Sequence, residues 1–117
     1  MEQLLYLTDL FDLYGALLTE RQQKCLEMHL FEDFSLSEIG ERLGISRQAV
    51  YDNIHRSQKS MEDYESKLGL VARYRLERME LKNIYHLLKD FRQNPKDAVM
   101  DEILIRLSNM AGKGREV

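Results

Sequence analysis

The stretch SEIGERLGISRQAV at residues 37–50 constrains the fold more than any other part of the chain. Gly40 is small enough to let a following helix cross close by, and Gly44 tolerates the left-handed backbone of a sharp turn. Ser46 can cap the next helix. Apolar residues spaced to fill the wedge between the two helices are Ile39, Leu43, Ile45, Val50 and Ile54. The pattern predicts a helix-turn-helix, whose second helix can enter a DNA major groove.

The residues before this stretch also favour helix. Residues 3–18 predict a first helix with leucines around more than one face, so we expect it to be buried on two sides. Thr19 with Gln22 forms a capping box that opens a second helix, which runs to about Phe31. Ser35 with Glu38 forms another, which opens a third helix at about residues 36–43.

Three longer helices are predicted after the turn, at residues 47–68, 70–92 and 97–110, separated by Gly69 and by Asn94-Pro95. The fold class is therefore all-α, a helix-turn-helix with additional C-terminal helices. We expect one compact domain in three parts. Residues 1–68 form the N-terminal helix and helix-turn-helix module, residues 69–111 a helical extension packed on it, and residues 112–117 a flexible tail.

The second helix of the predicted motif, with its cap, supplies the candidate nucleic-acid contacts. Its outward positions carry these residues: Ser46, Arg47, Gln48, Tyr51, Asp52, His55, Arg56 and Lys59. Gln and Arg can each pair with purine edges, and free amides after Ser46 can hold a phosphate. The plainer alternative is a helical corner with solvated charges, used only for packing.

Charge weakens the DNA interpretation. The chain carries 17 Lys and Arg against 20 Asp and Glu, a formal net charge of -3. Phosphate contacts supply much of the affinity of DNA-binding proteins, so a basic surface is expected of them. A basic cluster does occur further along, and its members are Arg73, Arg75, Arg78 and Lys82. We interpret it as a solvated face paired with Glu77 and Glu80; the alternative is a contact to RNA phosphate or an acidic protein.

No residue set points to catalysis or a cofactor. Cys25 and His29 are four apart on one helix, but the chain's single cysteine has no companion ligands, which favours a buried thiol over a metal site. The chain has neither a phosphate-binding glycine loop nor a serine-centred elbow. We therefore predict no enzyme activity, cofactor, metal or small-molecule substrate. One cysteine and no long apolar run predict a cytoplasmic protein without membrane insertion.

Two families resemble this sequence. The segments TERQ at 19–22, FSLSEIG at 34–40 and GISRQAV at 44–50 resemble the C-terminal promoter-reading region of bacterial sigma factors, over about residues 14–65. The likeness implies a sigma-region-4-like helix-turn-helix. The chain departs from that pattern at Tyr51 and Asp52, outward positions that are often basic or small in sigma factors.

A resemblance to the YlxM family covers nearly the whole chain. The segments LTDLFDLYGALLT at 7–19, SRQAVYD at 46–52 and LGL at 68–70 carry it. Membership implies a regulatory or DNA-binding protein, and a role in the signal recognition particle pathway suggested by gene neighbourhood with that particle's GTPase. DNA is thus the first predicted partner, and the GTPase or its RNA the alternative. We also predict a homodimer, because residues 3–18 carry excess apolar surface and helix-turn-helix proteins often dimerise. The two C-terminal helices are expected either to pack on the N-terminal helix or to mediate this homodimer.

Overall fold

The computed structural model describes residues 2–112, which are helical almost throughout. The helices are α1 (Glu2–Tyr14), α2 (Glu20–Leu30), α3 (Leu36–Leu43), α4 (Arg47–Leu68), α5 (Leu70–Gln93) and α6 (Asp97–Ala111), with a 3₁₀ turn at Gly15–Leu17. Over that range there is no strand, and the predicted all-α class is confirmed. Apart from Gly112, the predicted tail at residues 112–117 lies outside the described residues.

The chain divides into two compact units, residues 1–71 and residues 72–117. The core of the first unit consists of Leu7, Leu10, Tyr14, Leu18, Cys25, Leu26, Ile39, Val50, Ile54, Met61 and Val71. These residues come from α1 through the start of α5, and α4 contributes Val50, Ile54 and Met61. The predicted division at residue 68 and the predicted single domain remain predictions.

Helix α1 differs from its sequence prediction in two respects. It ends at Tyr14, and a 3₁₀ turn replaces its predicted last turn. The Phe11 ring lies over Gly15 so closely that a Cβ there would be 2.8 Å from it. The expected burial on two sides is wrong, because Leu7, Leu10 and Tyr14 form one buried stripe while Leu5 stays 63% exposed.

Both predicted capping boxes are confirmed. Thr19 Oγ1 accepts a hydrogen bond from the Gln22 amide at 3.2 Å, and Gln22 Oε1 accepts from the Thr19 amide at 3.0 Å. Ser35 and Glu38 make the same reciprocal pair at 3.1 and 3.0 Å. These bonds satisfy amides that have no partner within the helix, and so fix where α2 and α3 begin.

In the second unit, α5 and α6 form an antiparallel hairpin around Asn94-Pro95-Lys96. Ile84 of α5 and Ile103 of α6 are both buried. Arg106 Nη1 lies 2.6 Å from Glu80 Oε1, and this ion pair joins the two helices at a point farther from the connecting loop. The hairpin therefore buries one row of each helix, and much of the remaining apolar surface stays exposed.

Candidate nucleic-acid interface

The corner between α3 and α4 has the predicted tight geometry. Gly44 ends α3 in the left-handed region, at φ 70° and ψ 34°. Its amide donates to the carbonyl of Gly40, and the Ile45 amide donates to the same oxygen at 2.9 Å. Two backbone amides of the turn thereby satisfy the Gly40 carbonyl near the end of α3. The chain then passes through extended Ser46 and starts α4 at Arg47.

Gly40 allows the backbone at the start of α4 to pack closely against α3. A Cβ at this position would lie 2.6 Å from the carbonyl oxygen of Ile45, which is backbone and cannot swing away. Ile39 and Val50 are fully buried against this corner, and Ile54 is nearly so. Any larger residue at position 40 would push α4 away from α3.

Helix α4 presents its first turns to solvent. Ser46 Oγ accepts from the Ala49 amide at 3.0 Å, which confirms Ser46 as the cap. All predicted contact residues on this helix are exposed except Asp52, which is half-buried. Its opposite side is buried through Val50, Ile54, Ser57 and Met61. The outer side of α4 is therefore accessible, as a recognition helix requires.

The exposed side chains of α4 interact with one another. Gln48 Nε2 donates to Asp52 Oδ1 at 3.1 Å. The carboxylate of this surface that would repel DNA phosphates is therefore hydrogen-bonded to a side chain that is itself a candidate for base contacts. The Tyr51 and His55 rings lie 4.1 Å apart between centroids. Lys59 and Arg56 continue the exposed side one to two turns further along.

Arg21 belongs to this surface, although the sequence analysis assigned it no role. Its Nη2 donates to the carbonyl of Leu43, the last residue of α3, at 2.8 Å. Arg21 and Arg56 together line a surface hollow of about 420 Å³ beside Ile45 and Ala49. A cation at the carbonyl end of a helix is favourable, but only the folded chain brings Arg21 of α2 to the end of α3.

Two polar atoms inside this unit lack partners. Among the described residues, no group lies within hydrogen-bonding distance of Ser57 Oγ or Asn53 Oδ1, and both atoms are buried. Ser57 sits on the buried side of α4 with no exposed surface. The sequence shows only a serine within a helix, and nothing in its spacing indicates burial.

Cys25 and His29 do not form a ligand set. Cys25 is fully buried, and burial raises the pKa of its thiol. His29 is half-buried, and burial lowers its pKa. In residues 2–112, no three His, Cys, Asp or Glu side chains are grouped so that they could hold a metal ion. No helix in the same range is both long and apolar enough to cross a bilayer.

The basic cluster on α5 lies in the second unit and is exposed at Arg73, Arg75, Arg78 and Lys82. Arg73 Nε pairs with Glu77 at 3.3 Å, as predicted. The Arg78 guanidinium lies 5.7 Å from the centroid of the Tyr74 ring. Glu80 accepts from Arg106 of α6.

A tight corner with Gly40 in the helix before it and Gly44 at the turn, followed by a capped and accessible helix, defines a helix-turn-helix protein. The chain belongs to the family described as "Putative helix-turn-helix protein, YlxM / p13 like", whose sequence profile matches residues 1–103. The predicted family is confirmed.

Three bacterial relatives match over more than half of their length. A UPF0122 protein of Streptococcus gordonii is 42% identical over 101 residues, which cover 86% of each chain. One from Thermoanaerobacter sp. strain X514 is 41% identical over 103 residues, 88% of each chain. A third, from Streptococcus pneumoniae, is 52% identical over 65 residues, 56% of this chain and 59% of its own.

Proposed function

We propose that this protein is a cytoplasmic DNA-binding regulator that lays α4 in the major groove. The observation that carries the proposal is the accessible start of α4. Ser46 caps it, Arg47 and Gln48 are exposed on its first turn, and the Gly44 turn sets its direction relative to α3. Arg47 and Gln48 are the side chains of this turn that can pair with base edges.

Local charge supports the proposal better than the net charge does. Arg47, Arg56 and Lys59 are exposed along α4, and Arg21 adds a fourth cation beside the corner. Asp52 is half-buried and accepts a hydrogen bond from Gln48. Four cations at this end of the motif can contact phosphates on either side of a groove, while the acidic residues elsewhere keep non-specific binding weak.

The test begins with the purified full chain and a pool of random DNA duplexes, from which bound sequences are selected and amplified. We expect enrichment of a short site, and an affinity for it that falls steeply with salt. The double variant Arg47→Ala and Gln48→Ala should lose that site. Lys67→Ala, which removes a charge from the last turn of the same helix, is the matched control and should bind normally. If no site is enriched, or both variants bind alike, the proposal fails.

The alternative is an interaction module that contacts the signal recognition particle GTPase or its RNA. The exposed bases of α5 favour it, because Arg78 beside the Tyr74 ring offers both a phosphate contact and a stacking surface. Pull-down with the purified GTPase and, separately, with the particle RNA tests it. Retention that is lost in Arg78→Glu with Lys82→Glu, but kept in the α4 double variant, would support this alternative over the regulator.

A further inference from the structure

We propose that the second unit is a dimerisation surface, on which two copies of the chain join their α5–α6 hairpins into a four-helix bundle. The proposal does not depend on what α4 binds. It develops one alternative of the sequence-based expectation, that the two C-terminal helices mediate a homodimer, by naming the residues and the symmetry of the surface. The surface proposed here, called the hairpin face, consists of Tyr74, Leu81, Tyr85, Leu88, Leu104 and Leu107.

On α5, the hairpin face follows a seven-residue repeat. Tyr74, Leu81 and Leu88 recur every seven residues, and Tyr85 lies one turn after Leu81 on the same side. Buried Ile84 and half-buried Phe91 occupy the neighbouring row, which packs towards α6. This two-row pattern is that of a helix with two helical neighbours, but only one of them is present within the hairpin.

On α6, Leu104 and Leu107 form the matching row, and half-buried Met100 precedes them by one turn. Each residue of a helix turns the chain by about 100° about the helix axis. On this basis, the exposed row of each helix is rotated by about 80° from the row that packs on the other helix, and the rotation has the same sense in both helices. Equal offsets in an antiparallel pair place both rows on one side of the hairpin. The result is one continuous apolar face.

The hairpin face has the size of an interface. Its six members are between 42% and 58% exposed. Together they leave on the order of 600 Å² of apolar surface open to water, the upper end of what a monomer usually shows and close to one partner's share of a standard interface. Two helices with such a face form half of a four-helix bundle.

The charges beside the hairpin face indicate that the other half is a second copy. Along the outer edge of α5 run Arg78, Lys82 and Lys89, and Lys89 Nζ lies 5.6 Å from the Tyr85 ring centroid. The outer edge of α6 carries Asp97 and Asp101 instead. A basic edge and an acidic edge on one surface make that surface complementary to itself.

This complementarity also selects the symmetry. A two-fold axis parallel to the helices sets α5 of one copy against α6 of the other, so each basic edge meets an acidic edge. The level of contact follows from the ion pair of Glu80 with Arg106 within one hairpin, which puts Lys89 level with Asp97 of the second copy. An axis across the helices would instead oppose like charges.

The first test measures the mass of the full chain in solution by sedimentation. We expect twice the 13.9 kDa of one chain. Leu81→Glu with Leu104→Glu places charges on the hairpin face and should give a monomer with unchanged helical circular dichroism. The matched control is Leu76→Glu with Ile105→Glu, at positions 66% and 61% exposed but off that face, which should stay dimeric.

A charge exchange tests the symmetry. Lys89→Asp alone, and Asp97→Lys alone, should each raise the dissociation constant of the dimer by about ten-fold or more. The two substitutions combined should restore it, because the exchanged charges again form an ion pair between the two copies. A wild-type chain that stays monomeric at concentrations on the order of 100 μM would overturn the proposal, whatever else covers the face. So would a control pair that dissociates as the test pair does, or a charge exchange without recovery.

Discussion

The Tyr14 hydroxyl donates to Glu65 Oε1 at 2.6 Å, across 51 residues of sequence, and so joins the end of α1 to the last turn of α4. The same hydroxyl accepts from the Leu70 amide at 3.1 Å, and Glu65 accepts from the Val71 amide at 2.8 Å. The amides at the start of a helix have no partner within it. One tyrosine and one glutamate thus accept from the first two amides of α5, both of which belong to the first unit.

Tyr14→Phe should lower the denaturant midpoint of the first unit. The substitution leaves the Leu70 amide without its acceptor and removes one of the donors to Glu65, at a position where the Tyr14 side chain is almost fully buried. Urea unfolding followed by circular dichroism measures the effect. Tyr64→Phe is the matched control, because the Tyr64 ring stacks on Tyr14 at 5.9 Å while no described residue hydrogen-bonds its hydroxyl. An equal loss in both variants would contradict the role of the hydroxyl.

The contribution of Tyr14 should vanish in alkali. Burial, and then the hydrogen bond to Glu65, raises the pKa of Tyr14 above its usual 10.0. The folded chain therefore holds this proton more tightly than the unfolded chain, so the stabilisation is complete below about pH 10 and is lost as pH rises through the higher folded value. The difference in urea midpoint between the wild type and Tyr14→Phe should shrink above pH 10. A difference that stays constant to higher pH would count against this account.

Glycine substitutions should separate close approach from backbone strain. Gly44 and Gly69 both have positive φ, at 70° and 63°, with open space where a Cβ would go, so alanine at either should cost about 1–2 kcal/mol. Gly40→Ala should cost roughly 1–3 kcal/mol by crowding and also shift α4. Gly40→Ala should therefore reduce any DNA binding beyond its effect on stability, whereas Gly69→Ala should not. Equal binding by both would show that the corner geometry does not position α4.

Ser57→Ala should leave the protein as stable as before, or stabilise it by about 1 kcal/mol, because a buried hydroxyl without a partner costs free energy in the folded state. Serine-to-alanine changes at a cap act in the opposite direction, and Ser46→Ala should cost about 1 kcal/mol. Thermal unfolding of both variants makes the comparison. A clear loss of stability in Ser57→Ala would mean that its hydroxyl has a partner, such as a water molecule.

Arg21→Ala should weaken binding to any DNA duplex the protein recognises and reduce the dependence of log affinity on log salt by about one unit, as expected for one phosphate contact. The effect should be similar on every bound sequence. Arg47→Ala, by contrast, should relax the preference at one base position. A sequence-specific effect of Arg21→Ala would place that residue in base reading instead.

The sequence predicts best those features that depend on residues close together in the chain. The Thr19 and Ser35 capping boxes and the Gly44 turn each need only three to six neighbouring residues, and all three are present. The exposure of the outer side of α4 followed in the same way from helical spacing.

Features that depend on distant residues could not be found this way. Nothing near Tyr14 indicates Glu65, and nothing near Arg21 indicates the carbonyl of Leu43. The early end of α1 depends on where the Phe11 ring lies; this ring also packs on Phe31, 20 residues on, at 5.9 Å between centroids. Leu5 was expected to be buried because leucines lie around more than one face of the helix, but burial requires a neighbouring element that the folded first unit does not place there.

The deep burial of Cys25 makes the chain convenient for labelling. A thiol with no exposed surface and a raised pKa reacts slowly with maleimides and iodoacetamides, and the sequence has no other cysteine. A single cysteine introduced on the exposed side of α4 or on the hairpin face can therefore carry a fluorophore or crosslinker without first removing the native thiol. Distances to a duplex or to a second chain can then be measured on an otherwise unaltered protein.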